Sequence, residues 1–133
     1  MEFEPKIIEI PKILDPRGNL SFIQNGDALP FEIKRCYWIY DVPGGEKRHG
    51  HLFRKSAELI VALSGSFDVV VHREGREEKF HLSRSYYGVY IPAGTWRELD
   101  NFSTNSVAMV LSSTLYDADD YDYTDPLNRQ GNE

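Results

Sequence analysis

The groups able to do chemistry in this 133-residue chain gather in three short stretches. Arg35 and Tyr37 lie two positions apart within 33–42, Arg48, His49 and His51 crowd together, and Arg97 sits within 95–102. In an extended strand, residues i and i+2 point to the same side. Ile33, Arg35, Tyr37 and Ile39 then share one face, as do His49, His51, Phe53 and Lys55, and as do Thr95, Arg97 and Leu99. Ionisable groups set among aromatics on an inward face are costly unless they bind something or one another. A neutral imidazole, with an ordinary pKa of about 6.5, can shuttle a proton near neutral pH or ligate a metal. A guanidinium does neither; it binds anions through fixed, forked N–H donors. Arginine outnumbers lysine nine to six, so such donors are in good supply.

These faces need strands, and the chain reads as little else. Ten segments rich in β-branched and aromatic residues cover 7–10, 19–24, 33–42, 49–55, 58–63, 67–73, 79–82, 88–91, 95–102 and 107–115. Turn sequences separate them: PRG at 16–18, NGD at 25–27, PGG at 43–45, SGS at 64–66, EGR at 74–76 and PAG at 92–94. Each offers glycine, proline or asparagine where the backbone turns. No amphipathic helix stands out. This spacing predicts an all-β sandwich or barrel in a single domain over 1–133, with an acidic C-terminal tail at 117–133.

Composition narrows the function classes. Hydrophobic residues make up 41% and charged residues 27%, the balance of a globular chain. No apolar run approaches the roughly 20 residues of a membrane span, and MEFEPKIIEI has no signal-peptide core. The net charge of −6 belongs to the tail, where six acids in 117–133 face Arg129 alone. Without a basic stripe to neutralise phosphates, nucleic acid is excluded as the main ligand. The single cysteine, Cys36, rules out an internal disulfide and a cysteine-built zinc site. The expected setting is the reduced cytoplasm, with no membrane partner.

Gly45 … His51-Leu52-Phe53 … Glu58 … Gly65, followed by Gly88 … Pro92-Ala93-Gly94 … Arg97, resembles the two motifs of the cupin superfamily. The resemblance implies a cupin-type double-stranded β-helix, a jelly-roll barrel. Metal-binding cupins carry His-x-His and a glutamate in the first motif and a further histidine in the second. Here His51 and Glu58 are in place, Phe53 takes the position of the second histidine, and Arg97 that of the last ligand. No metal site is expected on that register. Pairing His49 with His51 would restore two imidazoles but shift them against Glu58.

A narrower resemblance spans about residues 6 to 125. It is carried by Asp15-Pro-Arg17-Gly18-Asn-Leu20, Pro30-Phe-Glu-Ile-Lys34-Arg35-Cys-Tyr37, Arg48-His-Gly-His51, Leu63-Ser-Gly65-Ser, Trp96-Arg97-Glu98 and Tyr116-Asp117 … Asp120-Tyr121. In order and spacing these are similar to the sugar-nucleotide 3,4-ketoisomerases, cupins that act on dTDP-4-keto-6-deoxyglucose. The resemblance implies a cofactor-independent isomerase of deoxyamino-sugar biosynthesis that moves a carbonyl from C4 to C3 through an enediolate. It implies His51 as the carbon-proton shuttle and Tyr37 as donor or relay at the sugar oxygens. Arg97 would face the sugar, with Arg17, Arg35 and Arg48 as candidates for the diphosphate and His49 at the pocket mouth. It also implies a dTDP-linked substrate and a homodimer. Two other readings stand beside it: a sugar-nucleotide epimerase or metal-dependent cupin, and a non-catalytic sugar-nucleotide binding cupin. His72 and His81 read as surface residues, Cys36 as packing opposite the pocket, and Trp96, Tyr116, Tyr121 and Tyr123 as packing. The last dozen or so residues, polar and proline-interrupted, read as frayed or packed on a neighbour.

Overall fold

The computed structural model describes residues 3–27 and 29–127, apart from the side chain of His49. Twelve strands follow in order: β1 Lys6–Glu9, β2 Lys12–Ile13, β3 Leu20–Ser21, β4 Arg35–Ile39, β5 Arg48–Phe53 and β6 Glu58–Ser64, then β7 Phe67–Arg73, β8 Arg76–Leu82, β9 Tyr87–Ile91, β10 Trp96–Asp100, β11 Val107–Ser112 and β12 Tyr121–Asp122. All pairings are antiparallel. Two five-stranded sheets result, β1-β9-β6-β11-β4 and β12-β5-β10-β7-β8, with β2 and β3 as a separate short pair. Strands adjacent in a sheet are mostly distant in sequence, the jelly-roll pattern of chains passing between two sheets. Among the described residues no helix is long and apolar enough to cross a membrane.

Each of the ten segments read from the sequence contains a strand. The segment 19–24 shrinks to β3, and β8 begins at Arg76 rather than Lys79. That earlier start follows from the turn. β7 and β8 pair from Arg73↔Arg76, leaving Glu74 and Gly75 as a two-residue loop with φ of 53° and 75°. Positive φ at both positions is the type I′ geometry that matches the twist of a tight hairpin.

β6 explains how the core is divided. Its residues Glu58–Ala62 are buried on both faces, as expected for a central strand with an unbroken apolar run. Ile60 and Ala62 point between the sheets, where Phe67, Val69, Val71, Leu99, Phe102 and Val110 join them. Leu59 and Val61 point outward, beneath a cover that includes Ile8, Ile10, Ile23, Leu29, Phe31 and Ile33. Ile23, Leu29, Phe31 and Ile33, in the connection between β3 and β4, thus help roof the first sheet.

Candidate active site

The sandwich interior turns polar at one end. On four strands the inward residues nearest that end are polar or ionisable: Arg35 and then Tyr37 on β4, Glu58 on β6, Arg97 on β10 and Ser112 on β11. Glu58 and Arg97 are 1% and 4% exposed and form a two-pronged ion pair, with Arg97 Nε and Nη2 donating to Glu58 Oε1 at 3.1 and 2.9 Å. The Tyr37 hydroxyl donates a short hydrogen bond to Glu58 Oε2 and accepts one from Arg97 Nη2 at 3.1 Å. Three side chains from three strands thereby satisfy one another in a site otherwise hostile to charge. Burial, and then the Glu58 charge, push the Tyr37 phenol well above its usual pKa against the pull of Arg97. Tyr37 is therefore neutral at any working pH. Burial disfavours the Arg97 cation, yet Glu58 and Tyr37 outweigh it and hold the guanidinium charged.

Next to this triad lies a cavity of about 470 Å³ lined by Tyr37, Trp38, Ile39, Tyr40, Arg48, His51, Arg97, Tyr121 and Tyr123. Strand alternation alone would send Arg48 and His51, three positions apart, to opposite faces. They share the cavity because β5 bulges. Arg97 pairs with His51 but Leu99 pairs with Arg48, so three steps on β5 face two on β10. Gly50 occupies the bulge, and a Cβ there would overlap the Trp96 ring and approach the Arg97 carbonyl. Only glycine lets β5 lie this close to β10.

His51 is the cavity's distinctive group. Its Nε2 is buried and has no hydrogen-bond partner. Phe53 stands edge-on to its ring at 4.7 Å, and Tyr121 leans against it at 4.8 Å. Burial, then the Arg97 charge and then the Arg48 charge push the His51 pKa down to about 3, with Asp120 opposing. The imidazole is thus neutral at pH 7, with a free ring nitrogen facing a cationic cavity. Such a group accepts a proton when an anion enters.

The residues named from sequence distribute unevenly. Tyr37, Arg48, His51 and Arg97 meet in the cavity. Arg35 stands behind it, its guanidinium 5.3 Å from the Tyr37 ring and 5.7 Å from that of Tyr116, with Nη2 on Ser112 Oγ. Arg17 is 90% exposed and ion-paired with Asp15 at 2.8 Å, outside the cavity. The side chain of His49 lies outside the described residues.

Four readings need correction. Cys36 is exposed on the outer face of the first sheet rather than packed. His72 is buried: its Nδ1 meets Asp125 at 2.8 Å, its Nε2 meets Glu77 at 3.1 Å, and its ring stacks on Trp96 at 4.5 Å. The tail is not simply frayed, because Tyr121–Asp122 adds β12 to the edge of β5 opposite Phe53 and Leu52. Tyr121 and Tyr123 are cavity walls rather than plain packing. Residues 128–133 of that tail lie outside the described residues.

A metal-binding cupin would ask this site for a third and fourth ligand. Phe53 offers a phenyl ring, Arg97 is bound to Glu58, and among the described residues no group of three His, Cys, Asp or Glu side chains is placed to hold an ion. The donor set does not fit a cation.

Comparison with known proteins agrees with this geometry. Residues 3–129 match the family model described as FdtA, WxcM-like, C-terminal. The chain belongs to this family. Over 118 residues it is 37% identical to a TDP-4-oxo-6-deoxy-α-D-glucose-3,4-oxoisomerase of Aneurinibacillus thermoaerophilus, covering 89% of this chain and 85% of the relative. Among solved structures it is similar to the WlaRB TDP-quinovose 3,4-ketoisomerase of Campylobacter jejuni, at 36% identity, TM-score 0.85 and coverage of 90% and 92%. It is similar also to the 3,4-ketoisomerase QdtA of Thermoanaerobacterium thermosaccharolyticum. That enzyme was crystallised as a histidine-to-asparagine variant with TDP-4-keto-6-deoxyglucose (30% identity, TM-score 0.88, coverage 93% and 90%). As a member of the FdtA, WxcM-like family, the protein has the cupin-like all-β fold that its motifs imply.

Proposed function

We propose that this protein is a 3,4-ketoisomerase acting on dTDP-4-keto-6-deoxyglucose, as one cytoplasmic cupin domain in deoxyamino-sugar biosynthesis. The observation that carries the reading is the unpartnered His51 Nε2 in a cavity flanked by Arg48 and Arg97. The reaction is internally balanced. His51 takes the proton from C3, the C3–C4 enediolate forms, the hydroxyl proton moves from O3 to O4, and the proton on His51 is delivered to C4. One C–H bond breaks and another forms, so no outside oxidant or reductant enters.

The electrostatics favour this order of events. A free imidazole held near 3 is a weak base, but a diphosphate bound beside Arg48 would counter the charges that depress it. Substrate binding therefore raises the basicity of His51 where it is needed. Arg97, fixed by Glu58 and Tyr37, presents a cation that does not have to reorganise as the enediolate develops. Tyr37 already donates to Glu58, so its role is to relay a proton along the Glu58–Tyr37–sugar path while staying neutral overall. Arg35 supports the Tyr37 ring from behind, and His49 and Arg17 are assigned to the nucleotide side. For Arg17 this requires release from Asp15.

The outer face of the first sheet supports a homodimer. Trp38 and Tyr40 are each 60% exposed there. They line a groove of about 640 Å³ with Cys36, Leu63 and Met109, and Leu63 and Met109 continue into a second of about 430 Å³ floored by Ile23, Ile33 and Leu111. Light scattering after size exclusion is expected to give twice the chain mass, and a clean monomer at micromolar concentration would overturn the dimer.

Proton NMR of dTDP-4-keto-6-deoxyglucose incubated with the protein in D₂O tests the activity. The expected result is a 3-keto product carrying deuterium at C4. Exchange at C3 without that product would point to a different enolising enzyme, and binding of TDP without exchange would point to a sensing module.

A further inference from the structure

The C-terminal segment closes one wall of the cavity and is tied down at two separate places. At the near end Asp120, only 3% exposed, is gripped by the backbone N–H of Lys55 at 2.6 Å, that of Ser56 at 3.2 Å and the Ser56 hydroxyl, which also meets Thr114. Burial disfavours the Asp120 anion, but the Ser56 hydroxyl and these N–H groups outweigh it and keep its pKa below the ordinary carboxylate value. Arg54 adds a second grip from the surface, donating to the carbonyls of Asp119 at 2.6 Å and Tyr121 at 2.9 Å. At the far end Asp125 holds His72, which is backed by the Trp96 ring.

Between these anchors the chain runs along the edge of β5, and Tyr121 packs on both His51 and Phe53, 4.8 and 4.6 Å away. Tyr123 stacks behind it at 5.9 Å. None of the anchoring side chains lines the cavity. Their effect on it passes through the Tyr121 ring.

We propose that residues 117–125 form a strap pinned at both ends, and that Arg54, Asp120 and His72 are positioning residues that hold Tyr121 against His51. This rests on the ketoisomerase reading for its catalytic consequence but not for its structural one. The strap keeps water from the face of the imidazole that the Arg97 and Arg48 side chains do not cover. Charged or titratable groups reach His51 from each neighbouring element: Arg97 on β10, Arg48 on β5, Tyr37 on β4, and Asp120, Tyr121 and Tyr123 on the strap itself. Loosening the strap through Arg54 or Ser56 hydrates His51 without removing any of those groups, whereas Tyr121→Ala removes the covering ring itself.

Arg54→Gln is the first variant, because Arg54 is exposed and its loss leaves the core untouched. The readout is the His51 ring-proton titration by NMR, assigned by its absence in His51→Asn. In the wild type the resonance is expected to stay neutral through pH 5. In Arg54→Gln its midpoint is expected to rise by about one unit or more toward the ordinary value of about 6.5, and Tyr121→Ala should produce the same rise. Ser56→Ala, which deletes one donor to Asp120, serves if Arg54→Gln unfolds. On the natural substrate the loosened strap should lower kcat/KM by roughly tenfold, with most of the loss in kcat, while TDP affinity holds.

An unmoved titration in Arg54→Gln or Ser56→Ala, with the rise present in Tyr121→Ala, would overturn the anchors. No rise in Tyr121→Ala would overturn the strap itself. A wild type that does not turn the substrate over would fail the ketoisomerase reading, and the titration would still decide the strap.

Discussion

The two ends of the sandwich interior are built on the same strands and do opposite things. On β6 the inward residues run from Glu58 through Ile60 to Ala62, and on β10 from Arg97 to Leu99. At one end Phe67 and Phe102 stack at 5.1 Å inside a shell of Val69, Leu99, Ala108 and Val110, none of them more than 2% exposed. At the other, an ion pair is buried as deeply, and the phenol and imidazole beside it are half-buried. The apolar end draws its free energy from area removed from water. The polar end recovers by mutual hydrogen bonding only part of what desolvation costs. Two-sheet architecture lets one half of the interior hold the fold while the other holds a site that contributes little to stability.

Substitutions can break that contrast, and the largest effect is expected at His51. His51→Asn should lower turnover by at least about 10²–10⁴, the usual contribution of a general acid–base group. TDP affinity and melting temperature should stay near wild type, as calorimetry and thermal scans would check. Near-normal turnover would remove His51 from the mechanism. Arg97→Ala comes next and should be felt on both sides of the contrast. It strands a buried Glu58 carboxylate, costing about 3–5 kcal/mol in urea unfolding, and it abolishes turnover in whatever remains folded.

Phe102→Ala should cost a similar ~3–5 kcal/mol through the cavity it leaves, yet the folded fraction should retain the wild-type KM. A changed KM would show that the two ends are not independent. The smallest effect is a pH slope. With His51 held near 3 when folded and at about 6.5 when unfolded, the unfolded chain takes up a proton below about pH 6.5 that the folded chain refuses. His51 therefore lowers stability as pH falls from about 6.5 toward 3 and has no such effect above. Thermal scans at pH 7 and 5 should show His51→Asn gaining a few degrees on the wild type at the lower pH. An identical pH response in the two proteins would contradict the depressed value.

Much of this was legible without coordinates. Alternation placed Tyr37 and Arg97 inward, and both do line the cavity. The turn at 74–76 was legible from Gly75, but its two-residue type I′ form and the start of β8 at Arg76 were not. What alternation missed has identifiable causes. Arg48 joins His51 only because an extra residue on β5 resets the pleat. His72 looked exposed because it stands at the end of its strand beside the charged turn Arg73-Glu74-Gly75-Arg76, and its two carboxylate partners are 53 positions away in one case and 5 in the other. Tyr121 and Tyr123 looked like packing because they sit in an acidic, proline-interrupted tail with no periodicity. The family motif Asp120-Tyr121 was the one signal that could have marked them.

The sequence by itself determined ten of the twelve described strands, the turns between them and the types of group available for proton transfer and anion binding, because these depend on local propensity and period-two alternation. Only the tertiary structure decided which of those groups meet. Glu58, Arg97 and Tyr37 come from strands separated by 21 to 60 positions, and their pairing determines that Arg97 is a fixed cation and Tyr37 a neutral phenol. The low pKa of His51 likewise arises from burial under Phe53 and a strap more than sixty residues away. Desolvation and charge proximity are properties of three-dimensional neighbourhoods, and no spacing along the chain encodes them.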